Sequence, residues 1–368
     1  MRTQARQGGR LTNQPRQNLQ SVIDLEGVWK IFGSRQHDAM AAIQKDGLTK
    51  AEVLEQFDCV VGVADATFKV NQGEIFCIMG LSGSGKSTLV RHVNRLLAPT
   101  AGKVKVSGVD IMSLDEEQLL KVRNENIAMV FQNFGLLPHR SVRDNVAMPL
   151  EIRGYSQNAR WKAAEEALAL VELAEWKDKF AHELSGGMQQ RVGLARAIAA
   201  DADVLLMDEP FSALDPLIRR QLQDEFMKLA DKMHKTTLFI THDLEEAVRI
   251  GDRIAIMKDG VIVQTGTPEE IIMNPADDYV MDFVAGISRI NLIRGHSLAK
   301  PLAEFEKLNG KLPEDALTVS GNDTLRQIIV KSANTEGAIL VKDEDIGTMG
   351  VITKNDILNG VIKGTEDQ

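Results

Sequence analysis

A glycine-rich loop at positions 80–87 is the part of the sequence whose residue types and spacing point most directly to chemistry. It reads Gly-Leu-Ser-Gly-Ser-Gly-Lys-Ser and fits the pattern G-x-x-x-x-G-K-[ST] at every required position. Glycines at this spacing let successive backbone N–H groups face an anion, and the helix that follows adds the positive end of its dipole. Lys86 can then reach the β- and γ-phosphates of a nucleotide, and the Ser87 hydroxyl can bind Mg²⁺. We therefore expect a nucleoside triphosphate here, held by Gly80, Ser82, Gly83, Ser84, Gly85, Lys86, Ser87 and Thr88.

A pair of acids, Asp208 and Glu209, follows the short apolar run 204–207. Taken alone, acids at the end of a strand are often only solvated. Together with the phosphate loop they fit the second half of a nucleotide site, in which Asp208 holds Mg²⁺ and Glu209 orients or deprotonates the attacking water. We expect Asp208 to bind the metal and Glu209 to be catalytic.

Alternating patterns along the chain indicate the elements that must position these residues. Helical spacing predicts helices within 36–58 and over 159–173, and a Thr49/Glu52 capping box and Gly47 mark helix ends within the first of these ranges. Strands that alternate with helices predict the α/β class, with helices on both faces of the sheet. Apolar, strand-like runs occupy 22–32, 61–70, 74–79, 204–207, 238–240 and 254–257.

Composition and charge narrow the class of protein. The 368 residues suffice for one large domain and a smaller one, and 43% hydrophobic and 26% charged residues are ordinary for a globular protein. A net charge of −9 argues against a nucleic-acid partner, which would favour a basic surface. No run approaches the roughly 18 apolar residues of a membrane helix, and the polar, Arg-containing residues 1–20 predict a disordered tail rather than a secretory signal. Cys59 and Cys77 form no CxxC pair, and we expect Cys77 to be a small buried apolar residue.

The segment Leu184–Arg191, Leu-Ser-Gly-Gly-Met-Gln-Gln-Arg, resembles the LSGGQ-type signature of ABC ATPases. The resemblance implies a P-loop ABC ATPase fold, with a mixed-sheet core and a helical subdomain at about 133–190, that binds ATP and Mg²⁺. In that family the signature closes over the ATP of a second subunit. Ser185, Gly186, Gly187 and Gln189 would then meet the nucleotide in trans.

Further family motifs follow in the same order as in ABC ATPases. Gln132 matches the glutamine that senses Mg²⁺ and the permease, and Asp215, in 212–215, matches the segment that links the two sites of a dimer. His242 matches the switch histidine that holds the γ-phosphate, which makes it a second catalytic candidate. Phe32 matches the aromatic residue that stacks on adenine, although Trp29 could compete for that role.

The insertion before Val61 and the segment 85–96 resemble the quaternary-amine uptake subfamily of ABC importers, over residues 22–290. The resemblance implies an ATPase motor for uptake of glycine betaine, proline betaine, choline or a related osmolyte. Its partners would be a second ATPase subunit, permease subunits and a solute-binding protein, at the cytoplasmic face of the inner membrane. An importer motor for an amino acid or a sugar is the alternative. A soluble ABC ATPase acting on nucleic acid or ribosomes is disfavoured, because the sequence shows no second nucleotide domain and no long coiled coil.

The remaining residues predict a separate unit, which divides the chain into a tail (1–20), an ATPase domain (21–290) and a small α+β module (291–368). Residues 317–362 resemble one CBS motif, in which Thr353 and Asp356 would contact an adenosine ligand. CBS motifs work in pairs, and 298–312 is too short and irregular to be a clear first copy. Nucleotide sensing and a dimerising or structural role both stay open.

Overall fold

The structure is a computed structural model. It describes residues 20–132, 135–212, 214–286, 290, 292–313, 316–333, 335, 337–343 and 347–362. Most of the predicted tail, and part of the predicted boundary near 290, therefore lie outside the described residues.

The strands of the described chain are, in order, β1 (Ser21–Phe32), β2 (Val60–Asn71), β3 (Ile75–Met79), β4 (Ala101–Val106), β5 (Val109–Asp110), β6 (Ile127–Val130), β7 (Val204–Asp208), β8 (Thr236–Thr241), β9 (Arg253–Lys258), β10 (Val261–Gly266), β11 (Thr318–Ser320), β12 (Ile339–Asp343) and β13 (Gly347–Ile352). The helices are α1 (Gln36–Asp46), α2 (Lys50–Phe57), α3 (Lys86–Val93), α4 (Glu116–Glu125), α5 (Val142–Ile152), α6 (Gln157–Leu170), α7 (Gly186–Ala199), α8 (Pro216–Met233), α9 (Leu244–Ile250), α10 (Pro268–Met273), α11 (Asp278–Val284), α12 (Gly295–Leu298), α13 (Leu302–Asn309), α14 (Leu325–Ser332) and α15 (Lys354–Ile362).

The larger sheet has the strand order β10-β9-β3-β8-β7-β6. Its pairs from β9 to β6 are parallel, and β10 is antiparallel to β9. Every residue of β3, β7 and β8 is buried, as is typical of strands covered on both faces. The α/β expectation and the strands predicted within this sheet are confirmed.

Helices lie on both faces of this sheet, as expected, and one face is covered by a second sheet as well. On one face, Phe76 and Ile78 of β3 pack in a common core with Leu89 of α3 and with residues of an antiparallel sheet ordered β2-β1-β4-β5. In β1 and β2, buried residues mix with half-exposed or exposed ones, so this second sheet has one solvated face. On the other face, Cys77 and Met79 pack against helices from α5 to α9.

Local signals placed the insertion between β1 and β2 correctly. The Thr49 Oγ1 accepts from the Glu52 N–H, and the Glu52 carboxylate accepts from the Thr49 N–H at 2.7 Å, so the predicted capping box at the start of α2 is confirmed. Gly47 ends α1 in the left-handed conformation that glycine favours. Apolar residues of both helices form a small core with the end of β1.

Helices α5, α6 and α7 pack on one another. Helix α7 continues to Ala199, and its residues Val192 and Ala195 pack into the same core as β3 and β7. A helical subdomain at about 133–190 stays a prediction. None of the helices in the described ranges combines the length and the apolar character that a membrane span requires.

The C-terminal module contains a sheet ordered β11-β12-β13, with β11 and β12 parallel and β12 and β13 antiparallel. Its core joins Ile328, Val341 and Ile352, and Met273 of α10 packs against that core. The module is therefore in contact with the last part of the ATPase domain. The fold is α+β as expected, and its CBS-like identity stays a prediction.

Candidate active site

The carboxyl ends of four parallel strands bring the predicted site residues together. Because β3, β8, β7 and β6 are neighbours and run in the same direction, their ends lie at one edge of the sheet. Those ends lead into the phosphate loop, His242, Asp208–Glu209 and Gln132, respectively. Ligand sites in open α/β sheets typically occupy this edge.

The phosphate loop depends on glycine at two positions where the chain passes close to other backbone. Gly80 has a φ of 155°, and a Cβ there would collide with the Met257 carbonyl oxygen. Gly85, the residue before α3, has a φ of 102°, and a Cβ there would collide with the Gly62 carbonyl oxygen. Any side chain at Gly80 or Gly85 would therefore push the loop away from its neighbours and change its backbone conformation.

Lys86 lies inside the loop, with only 4% of its surface exposed. Its Nζ donates to the carbonyl oxygens of Gly80 and Leu81 at 2.8 and 2.9 Å. Burial lowers the pKa of Lys86, while the carboxylates of Glu209 and Asp208 act in the opposite direction. The ammonium group is thus held at the centre of the loop, where it can meet a phosphate oxygen.

Ser87 and Asp208 form the pair of oxygen ligands that the sequence predicted for Mg²⁺. The Ser87 hydroxyl donates to Asp208 Oδ1 at 2.7 Å, and the Asp208 side chain is buried. Hydroxyl and carboxylate oxygens fit a hard cation that usually takes one or two protein carboxylates and completes its shell with phosphate and water. No cluster of three or more His, Cys, Asp or Glu side chains suited to a metal occurs among the described residues.

Arg91 is a site residue that the sequence analysis missed. Its Nη2 lies 3.5 Å from Asp208 Oδ2, so the buried carboxylate contacts a cation as well as the Ser87 hydroxyl. Arg91 follows Ser87 by four residues in α3 and therefore lies on the same face of the helix. That spacing was the signal that could have identified it.

Gln132 and His242 converge on the carboxylate of Glu209. Gln132 Nε2 donates to Glu209 Oε2 at 3.3 Å, and His242 Nδ1 lies 3.1 Å from the same oxygen. The three side chains come from the ends of three strands, and together they place a base candidate beside two polar groups. Glu209 also has a φ of 47°, a conformation that is uncommon for a residue with a side chain and that recurs at active sites.

The segment 212–215 is tied to its surroundings by side chains, although Ala213 lies outside the described residues. Asp215 Oδ1 accepts from the N–H groups of Leu217 and Ile218 at 3.1 Å and so caps α8. Arg219, which the sequence analysis also missed, donates to the Leu214 carbonyl oxygen at 3.1 Å and to Asp243 at 3.3 Å. It joins this segment to the residue after His242, and no sequence signal indicated that contact.

The signature segment is not part of this cluster. Ser185 is exposed and caps α7, accepting from the Met188 N–H at 3.4 Å. Gly186 is exposed and Gly187 half-exposed, while the Gln189 side chain donates to the Ala181 and Leu184 carbonyl oxygens. Within the described ranges, no hydrogen bond or ion pair joins 185–189 to 80–88, so one chain alone does not assemble these two predicted halves.

The two aromatic candidates for the base differ in their surroundings. The Phe32 ring, at the end of β1, is 40% exposed. Trp29 packs against the core between β1 and the helices α1 and α2, together with Ile43 and Phe57. Trp29 is partly buried whereas Phe32 is exposed, which favours Phe32 for stacking.

In the C-terminal module, Thr353 and Asp356 lie together at the start of α15. Asp356 Oδ2 accepts from the Thr353 N–H at 2.9 Å and from its hydroxyl at 2.6 Å, and Lys300 Nζ lies 2.7 Å from Asp356 Oδ1. Burial raises the pKa of Asp356, but the hydrogen bonds from Lys300 and Thr353 outweigh it and hold the pKa below its usual range. Both carboxylate oxygens thus already have partners within the module.

Comparison with known proteins shows which families and structures this chain is similar to. A family model described as ABC transporter matches residues 63–212. The glycine betaine/carnitine transport ATP-binding protein GbuA of Listeria monocytogenes is 51% identical over 289 residues, which cover 78% of this chain and 72% of that protein. The glycine betaine transport ATP-binding protein OpuAA of Bacillus subtilis is 47% identical over 340 residues, which cover 92% and 80%. Among solved structures, the dimeric post-hydrolysis state of the ATP-binding cassette MJ0796 bound to ADP and Pi is similar, with a TM-score of 0.57, 30% identity, and coverage of 67% of this chain and 98% of that one.

Proposed function

Because the chain belongs to the ABC transporter family, as an ATP-binding subunit, we propose that it is the ATP-hydrolysing motor of an importer for glycine betaine or a related quaternary amine. The observation that carries the catalytic part is the convergence of Gln132 and His242 on one oxygen of Glu209, beside the Ser87–Asp208 pair. The relatives' names support the choice of solute, since two similar proteins are ATP-binding subunits of glycine betaine transport systems.

Each residue of the cluster has a separate task in this proposal. Lys86 and the backbone N–H groups of the phosphate loop bind and orient the triphosphate. Glu209 takes the proton of the attacking water, and His242 holds the γ-phosphate next to it. Ser87, Asp208 and the Gln132 amide would hold Mg²⁺, which would neutralise phosphate charge when bound. The buried Asp208 side chain is held in place by the Ser87 hydroxyl and by its contact with Arg91.

A second copy of the chain completes the site in this proposal. Ser185 and Gly187 would meet the γ-phosphate bound by the partner subunit, because a helix N-terminus with small residues is suited to an anion. The exposed position of Ser185, away from its own phosphate loop, supports this arrangement. The segment 212–215, joined by Arg219 to Asp243, would link the two sites.

Transport requires further partners, which we place outside this chain. We propose permease subunits in the inner membrane, with this subunit at their cytoplasmic face, and a solute-binding protein acting through the permease. Recognition of a quaternary ammonium group typically uses a cage of aromatic rings, each worth about 0.5–2 kcal/mol. With 3 Trp and 2 Tyr in 368 residues, this chain is poorly equipped for such a cage, so the solute should be selected by the other subunits.

The experiment is a reconstitution of the chain with its permease and solute-binding protein in proteoliposomes. We expect glycine betaine or another quaternary amine to stimulate ATP hydrolysis, and Lys86→Ala to abolish hydrolysis with every solute. Stimulation by an amino acid or a sugar, but by no quaternary amine, would contradict the proposed solute class while leaving the ATPase assignment intact. Calorimetric titration of the isolated chain with glycine betaine and choline should detect no binding.

A further inference from the structure

Gly62 lies directly against the exposed aromatic ring of Phe32. A Cβ atom at Gly62 would lie 2.7 Å from Phe32 Cε2 and 3.2 Å from Cδ2. The backbone of Gly62 is not in the left-handed region, so its conformation alone would accept any residue. The neighbouring ring is therefore what requires glycine at this position in β2.

The other side of Gly62 faces the phosphate loop. Its carbonyl oxygen occupies the space that a Cβ at Gly85 would need, and it lies 2.8 Å from the position of a Cβ at Gly260. Gly260, in the turn between β9 and β10, donates its N–H to the Ser84 carbonyl oxygen at 2.8 Å and accepts from the Ala64 N–H at 2.8 Å. Strand β2, the phosphate loop and this turn thus pack backbone against backbone.

We propose that Gly62 is a positioning residue that holds the Phe32 ring at the place where a purine base stacks while the triphosphate lies in the phosphate loop. The inference rests on the proposed stacking role of Phe32. Gly62 lies between the Phe32 ring and the start of α3. One side of Gly62 contacts the ring, and the other contacts the phosphate loop. The distance between the stacking ring and the phosphate site is then set by the backbone of Gly62, which cannot change rotamer as a side chain can.

Replacing Gly62 with Ala should displace the Phe32 ring while leaving the fold intact. The added methyl would be too close only to the Phe32 ring, which is 40% exposed and has solvent to move into, since the Lys30 carbonyl oxygen lies at an ordinary contact distance of 3.7 Å. The backbone at Gly62 accepts alanine, and alanine in a strand loses less entropy on folding than glycine does. Gly62→Ala should therefore fold, with the ring displaced.

The test is a titration of the full chain with ATP and with inorganic tripolyphosphate, which has no base. Loss of a stacking ring typically costs about 1–3 kcal/mol per base, or roughly 5- to 150-fold in affinity. We expect Phe32→Ala to weaken ATP binding within this range and Gly62→Ala to weaken it by part of the same factor. The affinity for tripolyphosphate should stay within about two-fold of the wild-type value in both variants. In the Phe32→Ala background, Gly62→Ala should not weaken ATP binding further, because effects that act through a shared contact do not add.

Gly286→Ala is the matched control, because no atom lies within 4 Å of a Cβ there and its φ is not left-handed. It should leave both affinities unchanged. No effect of Phe32→Ala on ATP would contradict the stacking role itself. If Phe32→Ala weakened ATP binding and Gly62→Ala did not, the role of Gly62 would be overturned and the stacking role of Phe32 would stand. The same would follow if Gly62→Ala weakened the binding of ATP and of tripolyphosphate equally. Failure of Gly62→Ala to fold would also overturn it, since the ring would then not be the group that yields.

Discussion

At the scale of single residues, the oxygen of Glu209 that meets both Gln132 and His242 is the centre of the candidate site. The Glu209 side chain is mostly buried, at 16% exposure, whereas the His242 side chain is half exposed. A carboxylate fixed in this way does not have to reorganise before it receives a proton. His242 and Gln132 can therefore orient the base as well as contact the nucleotide.

Replacing Glu209 with Gln tests this role. The amide keeps the shape of the side chain but cannot accept the proton of water, and loss of a positioned base typically costs about 10²–10⁴-fold in rate. We expect ATP hydrolysis by the assembled transporter to fall by about that factor, with ATP binding retained. Glu117→Gln, at an exposed position in the first turn of α4, is the control and should keep normal turnover. Near-normal hydrolysis by Glu209→Gln would remove Glu209 from the mechanism.

At the scale of elements, the two predicted phosphate-binding segments are both helix N-termini, but they are capped differently. Helix α3 has no side-chain cap at Gly85, so its first N–H groups stay oriented toward the loop. Helix α7 is capped by Ser185, whose hydroxyl accepts from the Met188 N–H. Ser185 thus has a structural role in its own subunit besides the proposed contact with the partner's nucleotide.

Ser185→Asp separates these two roles. Asp caps a helix about as well as Ser, so the melting temperature should stay close to that of the wild type. Its negative charge should repel the γ-phosphate of the partner's ATP and suppress hydrolysis. Ser185→Ala is the comparison and should lower the free energy of unfolding by about 0.5–2 kcal/mol through loss of the cap. Normal hydrolysis by Ser185→Asp would argue that this segment never meets a phosphate.

The junction between α10 and α12 contains an ion pair whose strength should depend on pH. His296 Nδ1 lies 3.0 Å from the Gly321 carbonyl oxygen, and Nε2 lies 3.3 Å from Glu269 Oε2. Both oxygens only accept, which favours the doubly protonated ring. The hydrogen bond to Glu269 raises the pKa of His296 above its ordinary value, although burial and, to a smaller extent, the Arg294 cation act in the opposite direction. Burial raises the pKa of Glu269, but hydrogen bonds from His296, Ser297 and the Arg294 N–H lower it overall.

The two pKa shifts set the pH range in which the contact between the C-terminal module and the ATPase domain is most stable. The contribution of His296 is complete below its ordinary pKa and is lost as the pH rises through the raised value. The contribution of Glu269 is present above its ordinary pKa and is lost as the pH falls through the lowered value. We expect hydrogen exchange at the junction to become faster as the pH rises through the raised pKa of His296, after correction for the intrinsic exchange rate. His296→Gln should lose this dependence, and His139→Gln, at an exposed histidine, should keep it. An unchanged dependence in His296→Gln would contradict the assignment.

At the scale of the whole molecule, Lys86 and Ser185 can be assigned to the same or to different subunits by mixing variants. If each site combines Lys86 of one subunit with Ser185 of the other, a dimer of one Lys86→Ala and one Ser185→Arg subunit keeps one intact site. A dimer of a doubly substituted and a wild-type subunit then keeps none. ATP occupancy of tagged, purified heterodimers measures this. The opposite pattern would place both residues in one subunit's site and refute the composite arrangement.

Local sequence determined much of the fold and nearly all of the motifs. The phosphate loop, the Asp208–Glu209 pair and the Thr49–Glu52 cap each depend on residues within eight positions of one another. The parallel strands were recognisable for a similar reason, because burial on both faces demands a continuous apolar run. The second sheet was not predicted as a separate layer, because β1 and β2 are strands with mixed burial and a strand pattern does not reveal which sheet it joins.

Only the tertiary structure decided which distant side chains meet. Gln132 and His242 lie 77 and 33 positions from Glu209, and they reach it because the strand order β3-β8-β7-β6 differs from the order along the chain. Trp29 and Phe32 look alike in sequence, and packing against the inserted helices leaves Trp29 partly buried and Phe32 exposed. The contacts of Arg219 and Gly62 were equally hidden. Sequence spacing reports neighbours within an element, whereas these contacts depend on how separate elements pack.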